Sequence, residues 1–266
     1  MSALAARVSP EWLLLREPAD AAARSDELAE RLRRHLPADP LVIHDLGGGS
    51  GALGRWLAPR LLGRQHWVVH DRDARLLDLA LADPPGPAAD GAAVTVEARR
   101  SDITRLAPDV LDGASVIVAS ALLDMLTADE LARMLGACIA VGRCPILLAM
   151  TVVGRVALTP ADPLDAQIVA AFNAHQRRGG RLGPDAVEAA VEQLPGEVLV
   201  RPSPWRLGAT HAELMTEWFG GSVAAACERE PALGAEAGAY RDRRLAQAAA
   251  GQLAVTVDHA DLLVLP

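Results

Sequence analysis

The chain has 266 residues, enough to bury a sizeable core, and its formal charge of −8 with a pI near 5.4 excludes a general electrostatic attraction to nucleic-acid phosphates. Its 26 basic residues are all arginine, and Tyr240 is its single tyrosine. Without lysine there is no pyridoxal Schiff base, no phosphate-loop lysine and no tyrosine–lysine pair of the dehydrogenase kind.

No apolar run reaches the roughly 18 residues that span a bilayer, and Arg7, Pro10 and Glu11 interrupt the opening stretch. Neither membrane insertion nor secretion is expected. The three cysteines, Cys138, Cys144 and Cys227, are odd in number and lack metal-ligand spacing, which points to a reduced, cytoplasmic protein without a metal site.

The first 40 residues read as a helical leader outside the sheet, with a helix from about Ala19 to His35 stopped by Pro37 and Pro40. From Leu41 the pattern alternates: strand 41–46, helix 51–62, strand 66–70, helix 73–82, strand 94–99, short helix 104–111, strand 115–120, helix 127–140 and strand 145–152. Five short apolar strands separated by helices predict an α/β fold with a parallel sheet covered on both faces. Helices over 162–178 and 184–194 then intervene before a strand at 197–201. Two more helices over 209–229 and 232–250 precede terminal strands at 252–257 and 261–265. The expected organisation is a leader or cap over 1–40 and a core over 41–266, with helical insertions at about 160–195 and 209–250 that serve as a cap.

The chemistry begins where the first strand ends, in His44-Asp45-Leu46-Gly47-Gly48-Gly49-Ser50-Gly51. Glycines suit a tight turn that a ligand must approach closely. Two registers overlap: Gly47-x-Gly49-x-Gly51, and Gly49-x-Gly51-x-x-Gly54, the second matching the dinucleotide fingerprint. Asp45 separates them. A carboxylate beside the turn repels a pyrophosphate but attracts a ligand bearing an ammonium and a sulfonium, which favours S-adenosylmethionine over NAD. Asp71 follows the next strand, where a carboxylate can accept ribose hydroxyl protons for either cofactor, and Asp102 follows the third, where it can take an exocyclic adenine amine. An acid at a strand end is also a common helix N-cap.

The Asp45–Gly51 turn, Asp71, Asp102, and the strand 115–120 leading into Ser120-Ala121-Leu122-Leu123-Asp124 resemble a class I S-adenosylmethionine-dependent methyltransferase over residues 41–152. The resemblance implies a Rossmann-like doubly wound sheet with a reversed last strand. That strand would form a hairpin pairing 197–201 with 252–265, with the excursion 209–250 in its interior. It further implies that Gly47, Gly49 and Gly51 pass under the methionine part of the cofactor. Asp45 would anchor its amino end, Asp71 the ribose with Arg72 adjoining, and Asp102 with Ser101 and Ile103 the adenine. Ser120 would lie beside the amino group and the transferred methyl, and Arg16 of the leader could close over the carboxylate.

Methyl transfer needs alignment and, for a hydroxyl acceptor, removal of a proton. Asp124, His175 and His211 are the candidate bases, each also compatible with a structural hydrogen-bonding role. The chain lacks the Asn/Asp-Pro-Pro-aromatic signature after strand 115–120, and only 3% of its residues are aromatic. A small-molecule acceptor is therefore expected, as in small-molecule metabolism, with no nucleic-acid partner, and the helical excursions are compatible with a homodimer. Two other readings stay open: an NAD(P)-dependent oxidoreductase using Gly49, Gly51, Gly54 and Asp71, for which no proton donor is identified, and a non-catalytic cofactor-binding protein.

Overall fold

A computed structural model describes residues 8–37 and 39–266. Eight strands form one mixed sheet: β1 (Leu41–Leu46), β2 (Gln65–Asp71), β3 (Val94–Arg100), β4 (Val116–Ser120), β5 (Ile146–Thr159), β6 (Val198–Pro202), β7 (Trp205–Leu207) and β8 (Ala254–Val264). Their order is β3-β2-β1-β4-β5-β8-β6, with β7 also paired to β8. The first five strands are mutually parallel, and β8 runs antiparallel to β5, β6 and β7. This is the expected doubly wound sheet with a reversed last strand. The expected hairpin is also present, with Val198 opposite Val264 and Pro202 opposite Ala260.

Nine α-helices are described: α1 (Pro10–Ala23), α2 (Asp26–His35), α3 (Ala52–Leu57), α4 (Ala74–Ala82), α5 (Ala128–Ala140), α6 (Asp165–Gln176), α7 (Ala186–Gln193), α8 (Ala212–Arg229) and α9 (Gly234–Ala249). Apolar residues on the two sides of the central strands feed two cores, as expected of parallel strands buried on both faces. Ile43, Trp67, Val118, Leu147, Val257 and Leu263 join side chains of α1, α2, α3, α6, α8 and α9 in one. Leu46, Ile117, Leu148 and Leu262 join α5 and α7 in the other.

Several boundaries differ from the sequence reading, each for a local reason. The leader is two helices rather than one. Ser9 caps α1 by accepting from the Trp12 N–H (3.1 Å), with Pro10 at the first helical position, and Ser25 caps α2 by accepting from the Leu28 N–H (3.3 Å). The expected helix 104–111 is a pair of 3₁₀ turns, Ile103–Arg105 and Pro108–Leu111. Strand β5 runs seven residues beyond its expected end because β8 continues beside it, with Val156 opposite Val257 and Thr159 opposite Ala254. For the same reason the two expected terminal strands are one, β8. No helix among the described residues is long and apolar enough to cross a membrane.

Candidate cofactor and acceptor site

The glycine turn joins β1 to α3 at the carboxyl end of the parallel strands, where α/β sheets bind their ligands. Gly47, Gly49 and Gly51 have φ of +65°, +55° and +82°, a left-handed backbone that side chains resist. Gly48 is required for another reason. A Cβ built on it would fall 2.6 Å from Asp45 Oδ2 and 2.8 Å from Val69 Cγ1. The alternating register read from the sequence passes over this glycine. The signal for it was three consecutive glycines after a strand-end acid. The turn is held by Gly48 N–H donating to the His70 carbonyl (3.1 Å), Gly51 N–H donating to the Gly48 carbonyl (2.9 Å), and Gly49 N–H donating to Asp71 Oδ2 (3.1 Å). Gly54 serves packing instead, since its Cβ would meet Pro85 at 3.1 Å and Trp67 at 3.4 Å.

Beneath the turn Asp45 is fully buried, and neither carboxylate oxygen has a hydrogen-bond partner. Burial pushes its carboxyl up to about 7, Arg24 pulls it back and Asp71 adds repulsion. Arg24, only 5% exposed, donates from Nη2 to Ser120 Oγ (3.1 Å) and reaches the Ala52 carbonyl from Nη1 (3.5 Å), while its buried Nε has no partner. Burial lowers its pKa against the opposing pull of Asp20, Asp261 and Asp45. A buried polar atom without a partner costs about 1–3 kcal/mol, so these atoms are available to a partner not provided by the chain.

Arg24 is the C-cap of α1, and its neighbour Ser25 donates its N–H to Asp261 Oδ2 (2.8 Å), whose other oxygen accepts from the Met150 N–H (2.8 Å). The α1–α2 junction is thereby fixed to β5 and β8. Arg16, the leader arginine named from the sequence, is engaged elsewhere. It pairs with Asp20 (2.9 Å) and its guanidinium lies 5.0 Å from the Trp205 ring and 5.9 Å from that of Trp12. Arg24, which the sequence reading did not single out, occupies the position beside Ser120.

Asp71 is partly buried, and besides the Gly49 contact its Oδ1 accepts from the Asp73 N–H (2.9 Å). Arg72 is exposed, with its carbonyl accepting from Arg100 Nε (3.3 Å). Asp102 is an N-cap: Oδ1 accepts from the Thr104 N–H (3.0 Å) and hydroxyl (2.7 Å). Its side chain remains 52% exposed, with Oδ2 3.6 Å from Arg105 Nε, and the adjoining Ile103 is buried. Ser101 is oriented by a buried chain that composition did not reveal. Its hydroxyl lies 3.1 Å from His70 Nδ1, and His70 Nε2 lies 2.9 Å from His44 Nδ1. The two imidazoles stack at 5.2 Å, and burial pulls both down to about 4.

The three candidate bases do not share one environment. Asp124 lies in the turn Leu123–Met125 after β4, partly buried, with burial raising its carboxyl and Arg16 and Arg181 opposing. Arg181 belongs to a segment strapped across this turn, with Leu182 N–H donating to the Leu126 carbonyl (2.8 Å). His175 pairs through Nε2 with Glu228 of α8 (3.0 Å), which also pairs with Arg178. His211 Nδ1 accepts from the Gly208 N–H (3.3 Å) and lies 3.1 Å from the Thr210 hydroxyl. Both histidines are thus tied to local partners. No group of three or more metal-ligating side chains occurs among the described residues.

No protein-family model matches the chain, and no curated protein matches it in sequence. Solved structures do match. A protein from Anaeromyxobacter dehalogenans, provisionally assigned as a type II methyltransferase, shares 18% identity at a TM-score of 0.54, over 92% of this chain and 97% of its own. The cyclopropane synthase MmaA2 from Mycobacterium tuberculosis aligns over 96% and 94% of the two chains at 13% identity and a TM-score of 0.48. With the sheet order and its reversed strand, the first of these likenesses establishes that the chain has the fold of the class I S-adenosylmethionine-dependent methyltransferases.

Proposed function

We propose that the protein is an S-adenosylmethionine-dependent methyltransferase acting on oxygen, nitrogen or carbon of a small molecule. One observation carries the reading: a buried carboxylate and a buried guanidinium, Asp45 and Arg24, with unpartnered polar atoms meet at a glycine turn at the carboxyl end of the sheet. An amino acid moiety bears the complementary pair, an ammonium and a carboxylate, whereas a pyrophosphate would meet Asp45 unfavourably. The residues therefore fit the methionine end of this cofactor. Bound there, S-adenosylmethionine supplies an electrophilic methyl group on a sulfonium.

In this reading Gly47, Gly48, Gly49 and Gly51 form the cradle, and Arg24 with Ser120 holds the carboxylate. Asp45 balances the ammonium from below, Asp71 meets the ribose, and Asp102, Ser101 and Ile103 border the adenine. Asp124 is the base for an acceptor that must lose a proton, because it lies in the turn after β4 and its carboxyl is raised by burial. The acceptor lies between α1 and the strap carrying Arg181.

The test is calorimetric titration with S-adenosylmethionine and S-adenosylhomocysteine beside NAD and NADP. Micromolar binding of the first two supports the reading. Binding of the nicotinamides alone replaces it with the oxidoreductase. Binding without label transfer from a radiolabelled methyl donor to any metabolite fraction leaves a non-catalytic cofactor-binding protein.

A further inference from the structure

Among the described residues two that are not glycine have a positive φ, Met150 at +56° and Ala121 at +51°. Ala121 directly follows Ser120, and Met150 follows Ala149, the residue of β5 that pairs with Ser120. Side chains resist this backbone, and such residues persist where the surroundings hold them in place. Met150 is the second residue of a β-bulge. Leu148 faces Leu262 and Thr151 faces Ala260, so Ala149 and Met150 together oppose the single residue Asp261. The Asp261 carboxylate holds this bulge, its Oδ1 accepting the Met150 N–H (2.8 Å). The bulge in turn holds the chain after Ser120, because the Ala149 carbonyl accepts the Ala121 N–H (2.9 Å).

The other oxygen of the same carboxylate reaches Ser120 by a second route. Oδ2 accepts the Ser25 N–H (2.8 Å), and the residue before it, Arg24, donates from Nη2 to Ser120 Oγ (3.1 Å). Burial lowers the pKa of Arg24, and Asp20 and then Asp261 are the first of the charges that oppose it. Asp261 is itself 1% exposed, and its two oxygens meet N–H groups from segments 236 and 111 residues away in the chain. It therefore serves the site without touching what binds there. Asparagine keeps its shape but offers one acceptor where two N–H groups need one each.

We propose that Asp261 is a positioning residue whose two oxygens set, through Met150 and Ser25, the Ala121 backbone and the Arg24 guanidinium on either side of Ser120. Its effect is confined to the amino acid end of the ligand, because neither arm includes Asp71, Ser101 or Asp102. The proposal rests on the reading of this site as one for S-adenosylmethionine, and the experiment separates the two.

The experiment compares the full chain with Asp261→Asn, Ser25→Pro and Ser25→Ala, each checked for an unchanged circular dichroism spectrum and cooperative melting. Ser25 has a φ of −76° and Arg24 before it a ψ of 145°, so proline fits there. It removes the N–H given to Asp261 together with the hydroxyl that caps α2, whereas alanine removes the hydroxyl alone. Calorimetry is run with S-adenosylhomocysteine and with methylthioadenosine, which carries the nucleoside and sulfur without the amino acid. Asp261→Asn and Ser25→Pro should raise the Kd of S-adenosylhomocysteine about tenfold or more, while that of methylthioadenosine stays within about twofold. Ser25→Ala should leave both within about twofold. In the ligand-free protein the Ala121 amide, read by NMR, should exchange about fivefold faster in Asp261→Asn. An equal loss for the two ligands, which a merely structural role would give, overturns the proposal, as does unchanged exchange at Ala121 or an unchanged Kd of S-adenosylhomocysteine in Ser25→Pro. If Asp261→Asn does not fold, the contrast between Ser25→Pro and Ser25→Ala decides. If the parent chain does not bind S-adenosylhomocysteine, the cofactor reading fails, and the exchange at Ala121 still decides whether Asp261 sets the backbone after Ser120.

Discussion

Asp45 and Gly48 are pressed together so closely that a methyl group on the glycine would fall 2.6 Å from a carboxylate oxygen and 2.7 Å from the carbon bearing it. No flexible chain end is available to yield, because Asp45 is fully buried and Val69 closes the other side at 2.8 Å. Gly48→Ala is therefore expected to cost about 1–3 kcal/mol of stability by overpacking. It should also weaken S-adenosylhomocysteine binding at least tenfold. Denaturant titration and calorimetry check the two effects.

Arg24 and Arg16 make opposite predictions. Arg24→Ala removes the buried cation beside Ser120 and leaves Asp45 uncompensated, so cofactor affinity should fall by about 2–5 kcal/mol, the range for truncating a buried charged contact. Arg16→Ala removes a guanidinium already paired with Asp20 and should change Kd less than threefold. Parallel titrations of the two variants decide which arginine reads the carboxylate.

Asp45 also links stability to pH. Its folded pKa, about 7, lies above the ordinary carboxylate value of 3.8, so the folded state binds the proton more tightly. The stability this contributes is fully present below pH 3.8 and is lost as pH rises through 7. Asp45→Asn removes the penalty of the buried charge, so the ligand-free variant should be more stable than the parent at pH 8, by at most about 4 kcal/mol from the size of the shift. The difference should shrink toward pH 5. Melting curves across that range test it.

The buried histidines act with the other sign. His44, His70 and His259 are each held near 4 by burial, below the ordinary 6.5. Their contribution is present above pH 6.5 and is lost as pH falls through 4, because the unfolded chain takes up the protons first. His70→Gln should flatten the acid limb of the stability profile between pH 6.5 and 4 while lowering the melting temperature at pH 7. A variant with an unchanged slope in that window would count against this account of the pair.

Asp124 is predicted to serve the acceptor and leave the cofactor alone. With an acceptor found by screening metabolites against a radiolabelled methyl donor, Asp124→Asn should lower kcat by about 10²–10⁴-fold, the usual share of a general base. Its Kd for S-adenosylhomocysteine should stay within twofold. His175→Ala and His211→Ala should leave kcat within about threefold, since their partners are Glu228 and the Gly208 turn.

The sequence by itself determined the succession of strands and helices over 41–152 and the location of the glycine turn, while the reversed last strand was expected only from the family resemblance and the order of the strands in the sheet came from the structure. The succession and the turn follow from short-range patterns: apolar runs of strand length, helical periodicity between them, and glycines after an acid. The acids at 45, 71 and 102 were legible for the same reason, because strand ends converge on one edge of a parallel sheet whatever the side chains do. The tertiary structure alone decided which arginine faces the turn, since Arg16 and Arg24 lie two helical turns apart on α1 and only the packing of Asp20, Trp205 and Asp261 separates their surroundings. It also decided that Gly48 matters, that β5 continues to Thr159, and that His44, His70 and Ser101 form one chain. These depend on contacts between residues remote in sequence, where burial and partner geometry, rather than local propensity, set the energy.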